Sequence, residues 1–195
     1  MRKKTGILLV LCMFCILTGC AKSDQIEKNS IEVSEKGTIT ATIHESFDRE
    51  YYDKKELKET IDAAIKAYNK EAKEERISLE SLRVKNEAAH AVITYAGDED
   101  YTAFNQIGIY NGTIKDMEGL DSGEQQEIID RDGKRIALQN LLYSEETYNL
   151  VVLQESCTLK TSGKILYASS NVTITGKKTA DVTADQESYA YVVYE

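Results

Sequence analysis

Between Asp53 and Glu75 the apolar residues of this chain recur at helical spacing, and on either side of that segment they alternate as strands require. Leu57, Ile61, Ala64, Ile65, Tyr68 and Ala72 line one side of a helix, while lysines and glutamates fill most other positions. Asp53 stands at the N-cap position, Glu56 completes a capping box, and Tyr52 with Leu57 fits a hydrophobic staple. Upstream, Gly37 opens an alternation in which Ile39, Ala41, Ile43 and Phe47 share one face and Thr38, Thr40, Thr42 and His44 the other, as in a half-buried strand. One long helix among alternating segments predicts an α+β fold, with that helix packed on an antiparallel sheet.

Downstream, a turn at Asn86-Glu87 sets Val84 opposite Ala89 and Leu82 opposite Ala91, with Ile93 and Tyr95 continuing the same face. Gly97 and the acidic run behind it break this hairpin, and a short helix is expected through Tyr101 and Phe104. Asn111-Gly112 has the composition of a type I′ turn and predicts a second hairpin joining residues 107–110 to 113–117. A short helix around residues 124–129 and a turn at Asp132-Gly133 are expected next. After Tyr148 the chain reads as strands over 150–161, 165–168, 172–175, 179–182 and 189–194, which predicts a strand-rich C-terminal meander or β-roll.

At the N-terminus, Arg2, Lys3 and Lys4 precede an uncharged apolar run from Ile7 to Leu17. That run is shorter than the ~20 residues a membrane-spanning helix needs, but it has the length of a signal-peptide core. It ends in Leu17-Thr18-Gly19-Cys20, which resembles the lipobox of bacterial lipoproteins. The resemblance implies a signal peptide over 1–19, cleavage between Gly19 and Cys20, and diacylglyceryl with its palmitate-type chains on the Cys20 sulfur. A flexible tether over 20–36 would then lead to a single extracytoplasmic domain over 37–195, anchored to the cell membrane. Two acyl chains hold firmly where one holds marginally, since each buried CH₂ contributes about 0.8 kcal/mol.

Charge narrows the partners. With 24 Lys and Arg against 33 Asp and Glu, the formal net charge is −9, a balance that repels nucleic acid and anionic headgroups. Membrane attachment must therefore come from the lipid. Cys12 and Cys15 leave with the signal peptide and Cys20 takes the lipid, so Cys157 is left without a disulfide partner and the fold must rest on its core. The chain contains no proline, so X-Pro isomerisation cannot slow its folding.

A wider likeness rests on several segments. They are Phe47-Asp48 and Tyr51-Tyr52-Asp53 after the first strand, Ala67-Tyr68-Asn69 late in the helix, Tyr110-Asn111-Gly112-Thr113, and the tail from Gly163-Lys164-Ile165-Leu166-Tyr167 to Val172-Thr173-Ile174-Thr175-Gly176. Together they resemble small envelope lipoproteins of anaerobic Gram-positive bacteria. The resemblance implies an envelope location and a shared fold, and it brings no catalytic residue with it.

Candidate chemistry is sparse. Cys157 with a histidine could make a nucleophile and base, but its place in the alternation Val151, Leu153, Cys157, Leu159 favours burial. His44 and His90 lie on the more polar faces of their strands, and with a carboxylate they could hold zinc only if those strands were neighbours. Asp98-Glu99-Asp100 and Asp130-Arg131-Asp132-Gly133 read as solvated turns; Ile128 and Gln139 stand where a calcium loop would need ligands. Tyrosine is the enriched aromatic, with 12 residues against three Phe and no Trp; Tyr189 and Tyr191, expected on opposite faces, could add to a patch for protein or glycan. No metal, cofactor or catalytic residue is assigned. The expectation is a non-enzymatic binding module of the cell envelope; the alternative is an enzyme acting on envelope polymers through an unrecognised carboxylate or Cys157.

Overall fold

Asp53 caps the long helix as its position predicts, its carboxylate accepting the Glu56 N–H at 2.9 Å. In the computed structural model, which describes residues 28–117 and 126–195, this helix is α1 (Lys54–Ala72). It ends at Lys73, whose left-handed backbone (φ 60°) lets its N–H reach the Asn69 carbonyl. The Asn69 side chain then ties the helix to the next strand, donating to the Ile77 carbonyl at 2.8 Å and accepting from the Arg76 and Ile77 N–H groups at 3.0 Å. Ile61, Ile65 and Tyr68 turn toward the core. The lipobox, its lipidation site and residues 118–125 lie outside the described residues.

The strands are β1 (Ser30–Val33), β2 (Ile39–Ser46), β3 (Ile77–Lys85), β4 (Ala88–Tyr95), β5 (Ile109–Thr113), β6 (Glu127–Asp130), β7 (Arg135–Ala137), β8 (Asn149–Leu153), β9 (Cys157–Lys160), β10 (Ile165–Ala168), β11 (Val172–Ile174), β12 (Thr179–Val182) and β13 (Ala190–Tyr194). The short helix α2 (Asp98–Asn105) follows β4. Seven strands form one sheet in the order β11-β12-β9-β1-β2-β4-β3, and six form another in the order β5-β8-β13-β10-β6-β7. The fold is α+β, with a strand-rich C-terminal part whose strands are divided between the two sheets.

Ile31, Val33, Ile39, Ile93 and Tyr95 from the first sheet share a buried cluster with Val151, Leu153, Ile165, Val192 and Tyr194 from the second. The far side of the second sheet buries Leu150, Val152 and Val193 against Ile114, Ile128, Leu138 and Leu141. This two-sided burial explains the unbroken apolar run Leu150–Leu153, which has no alternation because neither face meets water. The hairpin predicted at Asn86-Glu87 forms in the expected register, Val84 opposite Ala89 and Leu82 opposite Ala91, with positive φ at both turn residues.

Four expectations are corrected. The segment read as a tether over 20–36 contains β1, which lies between β2 and β9, with Ile31 and Val33 almost fully buried. Two apolar positions are too few to show a period. The predicted turn at Asn111-Gly112 is part of β5, running straight alongside β8; Gly112 is there because the Tyr110 ring lies over it, and a Cβ would come within 2.6 Å of the Tyr110 hydroxyl. The helix expected over 124–129 is strand β6 where it is described, since Ile128 packs into the second core and β7 and β10 pair with it. The single strand expected over 150–161 breaks at Gln154-Glu155-Ser156 and changes sheet; the Ser156 hydroxyl fixes the bend by donating to the Ala184 carbonyl at 2.9 Å and accepting its N–H at 3.1 Å.

Candidate functional site

Strand register places the loops at two opposite ends of the sheets. Residues preceding β1 enter at the end where β2 finishes: Asn29 accepts the Thr158 N–H on its carbonyl at 2.9 Å and the His44 N–H on its side-chain oxygen at 2.8 Å. His44, His90 and Arg83 are cross-strand partners in one row at this end. An aromatic group sits beyond them, with the Phe47 and Tyr52 rings 4.9 Å apart and Tyr51 mostly exposed.

At the other end, three turns converge: the one after β1, the Ser162-Gly163 turn between β9 and β10, and the Gly176-Lys177 turn between β11 and β12. They enclose a cleft of about 440 Å³ lined by Glu35, Asn149, Ser162, Gly163, Lys164, Lys177, Lys178, Tyr194 and Glu195. Backbone hydrogen bonds lace two of the turns together: Thr161 N–H donates to the Lys178 carbonyl and Ile165 N–H to the Lys177 carbonyl, both at 2.9 Å. The nearly buried Thr161 hydroxyl donates to the Gly163 carbonyl at 2.8 Å. Gly163 has no room for a side chain, since a Cβ would fall 1.4 Å from the Glu195 carbonyl oxygen. The Lys178 ammonium donates to the Ser162 carbonyl, and the Arg131 guanidinium donates to the Gly176 carbonyl just outside the lining. The turns bring three lysines together beside Glu35 and Glu195, on a backbone tied by hydrogen bonds.

A second, shallower groove of about 700 Å³ runs between α1 and β3. Its polar floor includes Asn69, whose side chain is already committed to Arg76 and Ile77.

The residues singled out in the sequence fall elsewhere. Cys157 is buried on the inner face of β9; burial first, then the nearby Glu155 and Asp181 carboxylates, push its thiol up to about 12. Burial thus disfavours the thiolate that nucleophilic attack requires. His44 and His90 occupy the opposite face of the same sheet, so neither can serve Cys157 as a base. The two histidines themselves are brought together, rings packed edge to face at 4.6 Å. Among the described residues no cluster of three His, Cys, Asp or Glu converges on a point where a metal could sit.

The first acidic cluster is not a solvated turn. It forms the first turn of α2, and Asp100 is buried beneath a two-pronged ion pair with Arg76, Nη2 to Oδ2 at 2.8 Å and Nε to each oxygen at 3.1 Å. The Tyr68 hydroxyl donates to the same carboxylate at 3.1 Å. Asp98 accepts the Asn111 N–H at 3.0 Å, which helps hold β5 straight. The second cluster is the exposed turn expected of it: one Asp130 oxygen accepts the N–H groups of Asp132 and Lys134. Tyr189 and Tyr191 share a side rather than opposing each other, their rings 6.4 Å apart, because residues two apart on an extended chain face the same way. Tyr189 is half exposed and Tyr191 half buried.

The lysine cleft escaped the sequence reading. A signal was present in the two turns with the same Gly-Lys composition, Gly163-Lys164 and Gly176-Lys177, but only folding shows that they meet. No helix among the described residues is long and apolar enough to cross a membrane. No protein family, curated protein or solved structure matches this chain.

Proposed function

We propose that this chain is an extracytoplasmic binding protein, tied to a cell membrane by lipid on Cys20, that presents its lysine-lined end to a component of the envelope. The observation that carries this reading is the polarity of the strands. Cys20 lies nine residues before Asn29, a stretch that spans at most about 30 Å, and Asn29 sits at the end of the sheet opposite the cleft. An anchor at Cys20 would therefore join the domain at the end away from the cleft, which lies about 25 Å off along an eight-residue strand such as β2. Against a Cys157-based enzyme stands the chemistry of the interior: burial raises the thiol, and the histidines lie on the opposite face of its sheet.

Metabolic labelling with a fatty-acid analogue tests the anchor. The wild-type product is expected to carry label, fractionate with membranes and lose residues 1–19; Cys20→Ser is expected to lose label and membrane association together. An unlabelled wild-type product, or a serine variant that still sediments with membranes, rejects the lipid anchor.

A further inference from the structure

We propose that the cleft between the Ser162-Gly163 and Gly176-Lys177 turns binds a phosphate-bearing solute or polymer lying outside the membrane. This deepens the binding reading above by naming the ligand's chemistry. Of the three lysines lining the cleft, Lys164 reaches Glu195 only at 3.8 Å, and Lys178 hydrogen-bonds a neutral carbonyl. Lys177 takes part in no ion pair among the described residues. Two ammonium groups thus line a concave site without a carboxylate partner among the described residues, in a lining that also holds Glu35 and Glu195.

Ammonium groups suit phosphate because each acts as a point charge and together they can surround a tetrahedral anion. A planar carboxylate is better matched by a guanidinium fork, and among the described residues no arginine lines this cleft. The Ser162 and Gly163 turn adds a hydroxyl and a tightly held backbone to the same wall. Because the site is preorganised by the hydrogen bonds linking the two turns, little ordering cost falls on the ligand. It lies opposite the chain's entry point, and phosphatidylglycerol competition separates a phosphate in solution or on an envelope polymer from a headgroup of the anchoring bilayer.

Full-length protein purified in detergent micelles tests this by calorimetric titration with inorganic pyrophosphate, with citrate, and with micelle-dispersed phosphatidylglycerol. Pyrophosphate is expected to bind saturably with Kd of about millimolar or tighter, and more tightly than citrate. Lys177→Gln with Lys178→Gln is expected to weaken it at least about tenfold, while Lys36→Gln, outside the lining, changes nothing. Should the double variant lose its folded thermal transition, Lys164→Gln alone carries the test, with a several-fold loss expected. The proposal is overturned by no saturable pyrophosphate binding at about 10 mM, by unchanged binding in the cleft variants, by equal or tighter citrate binding, or by phosphatidylglycerol competing as well as pyrophosphate. Fatty-acid labelling is an independent readout: unlabelled protein that binds pyrophosphate rejects only the anchor, and labelled protein that does not bind it rejects only the cleft.

Discussion

The two sides of helix α2 hold carboxyl groups in opposite ways. Toward α1 and β3, Asp100 is 5% exposed and meets both a guanidinium and a phenol hydroxyl. Toward the bend between β8 and β9, the next residue, Tyr101, donates its hydroxyl to half-buried Glu155, which has no cation beside it among the described ion pairs. On the first side the carboxyl group is matched by a guanidinium and a phenol hydroxyl. On the second, burial raises the Glu155 carboxyl above the usual range and the Tyr101 hydrogen bond only partly opposes it. The same burial pushes the Tyr101 hydroxyl and Cys157 thiol up. The difference teaches that one short helix can bury one carboxyl group against a cation and hold another with a phenol hydroxyl alone. Glu155 lines neither the lysine cleft nor the helix groove.

The contrast is sharpest if the matched charge is removed. Asp100→Ala is expected to lower stability by about 3 kcal/mol, because it strips the Tyr68 hydroxyl of its acceptor and leaves the guanidinium unmatched. For a chain of this size that is a fall in Tm of roughly 6–12 °C, readable by thermal unfolding. A loss below about 1 kcal/mol would mean the two sides are not different in kind. Tyr101→Phe is expected to cost about 1–2 kcal/mol in urea unfolding, since it deprives Glu155 of its donor without opening a large cavity.

Glu155→Gln is expected to change stability by less than about 1 kcal/mol near neutral pH, and its clearer effect is on pH dependence. With the folded carboxyl raised above the unfolded one, the native state holds its proton longer. Stability therefore falls as pH rises from the ordinary glutamate value of 4.5 through the raised one. The glutamine variant should flatten that fall in urea midpoints measured across the window. Half-buried Glu45, also raised by burial, contributes with the same sign and leaves a residual slope. An unchanged slope would show that Glu155 titrates normally.

The smallest effect expected is a coupling. Asp100→Ala and Tyr101→Phe should add within about 0.5 kcal/mol in the double variant, because their partners do not overlap. A larger departure would join the two sides into one network.

Much of this architecture could be read before folding. The Asp53 cap, the apolar stripe of α1 and the β3–β4 register follow from local periods and turn chemistry that survive in the folded chain. What escaped is equally specific. Ile31 and Val33 supply too short a pattern to announce a strand, yet β1 holds the middle of the larger sheet. Asn111-Gly112 had turn chemistry, but pairing with β8 and the Asp98 contact outweighed it. The lysine cleft was invisible because its turns are separated in sequence and meet only when β9 lies beside β12.

The amino-acid order by itself determined which segments could be helix or strand and the acidic balance, since these depend on composition and on neighbours in the chain. Tertiary structure decided which face of each strand met water, that Asp100 would be buried while Asp130 stayed in an exposed turn, and that lysines from two turns would share a cleft. The physical reason is the range of the interactions involved. Periodicity and capping act over a few residues, whereas burial, charge matching and concavity depend on residues that only the packed sheets bring together.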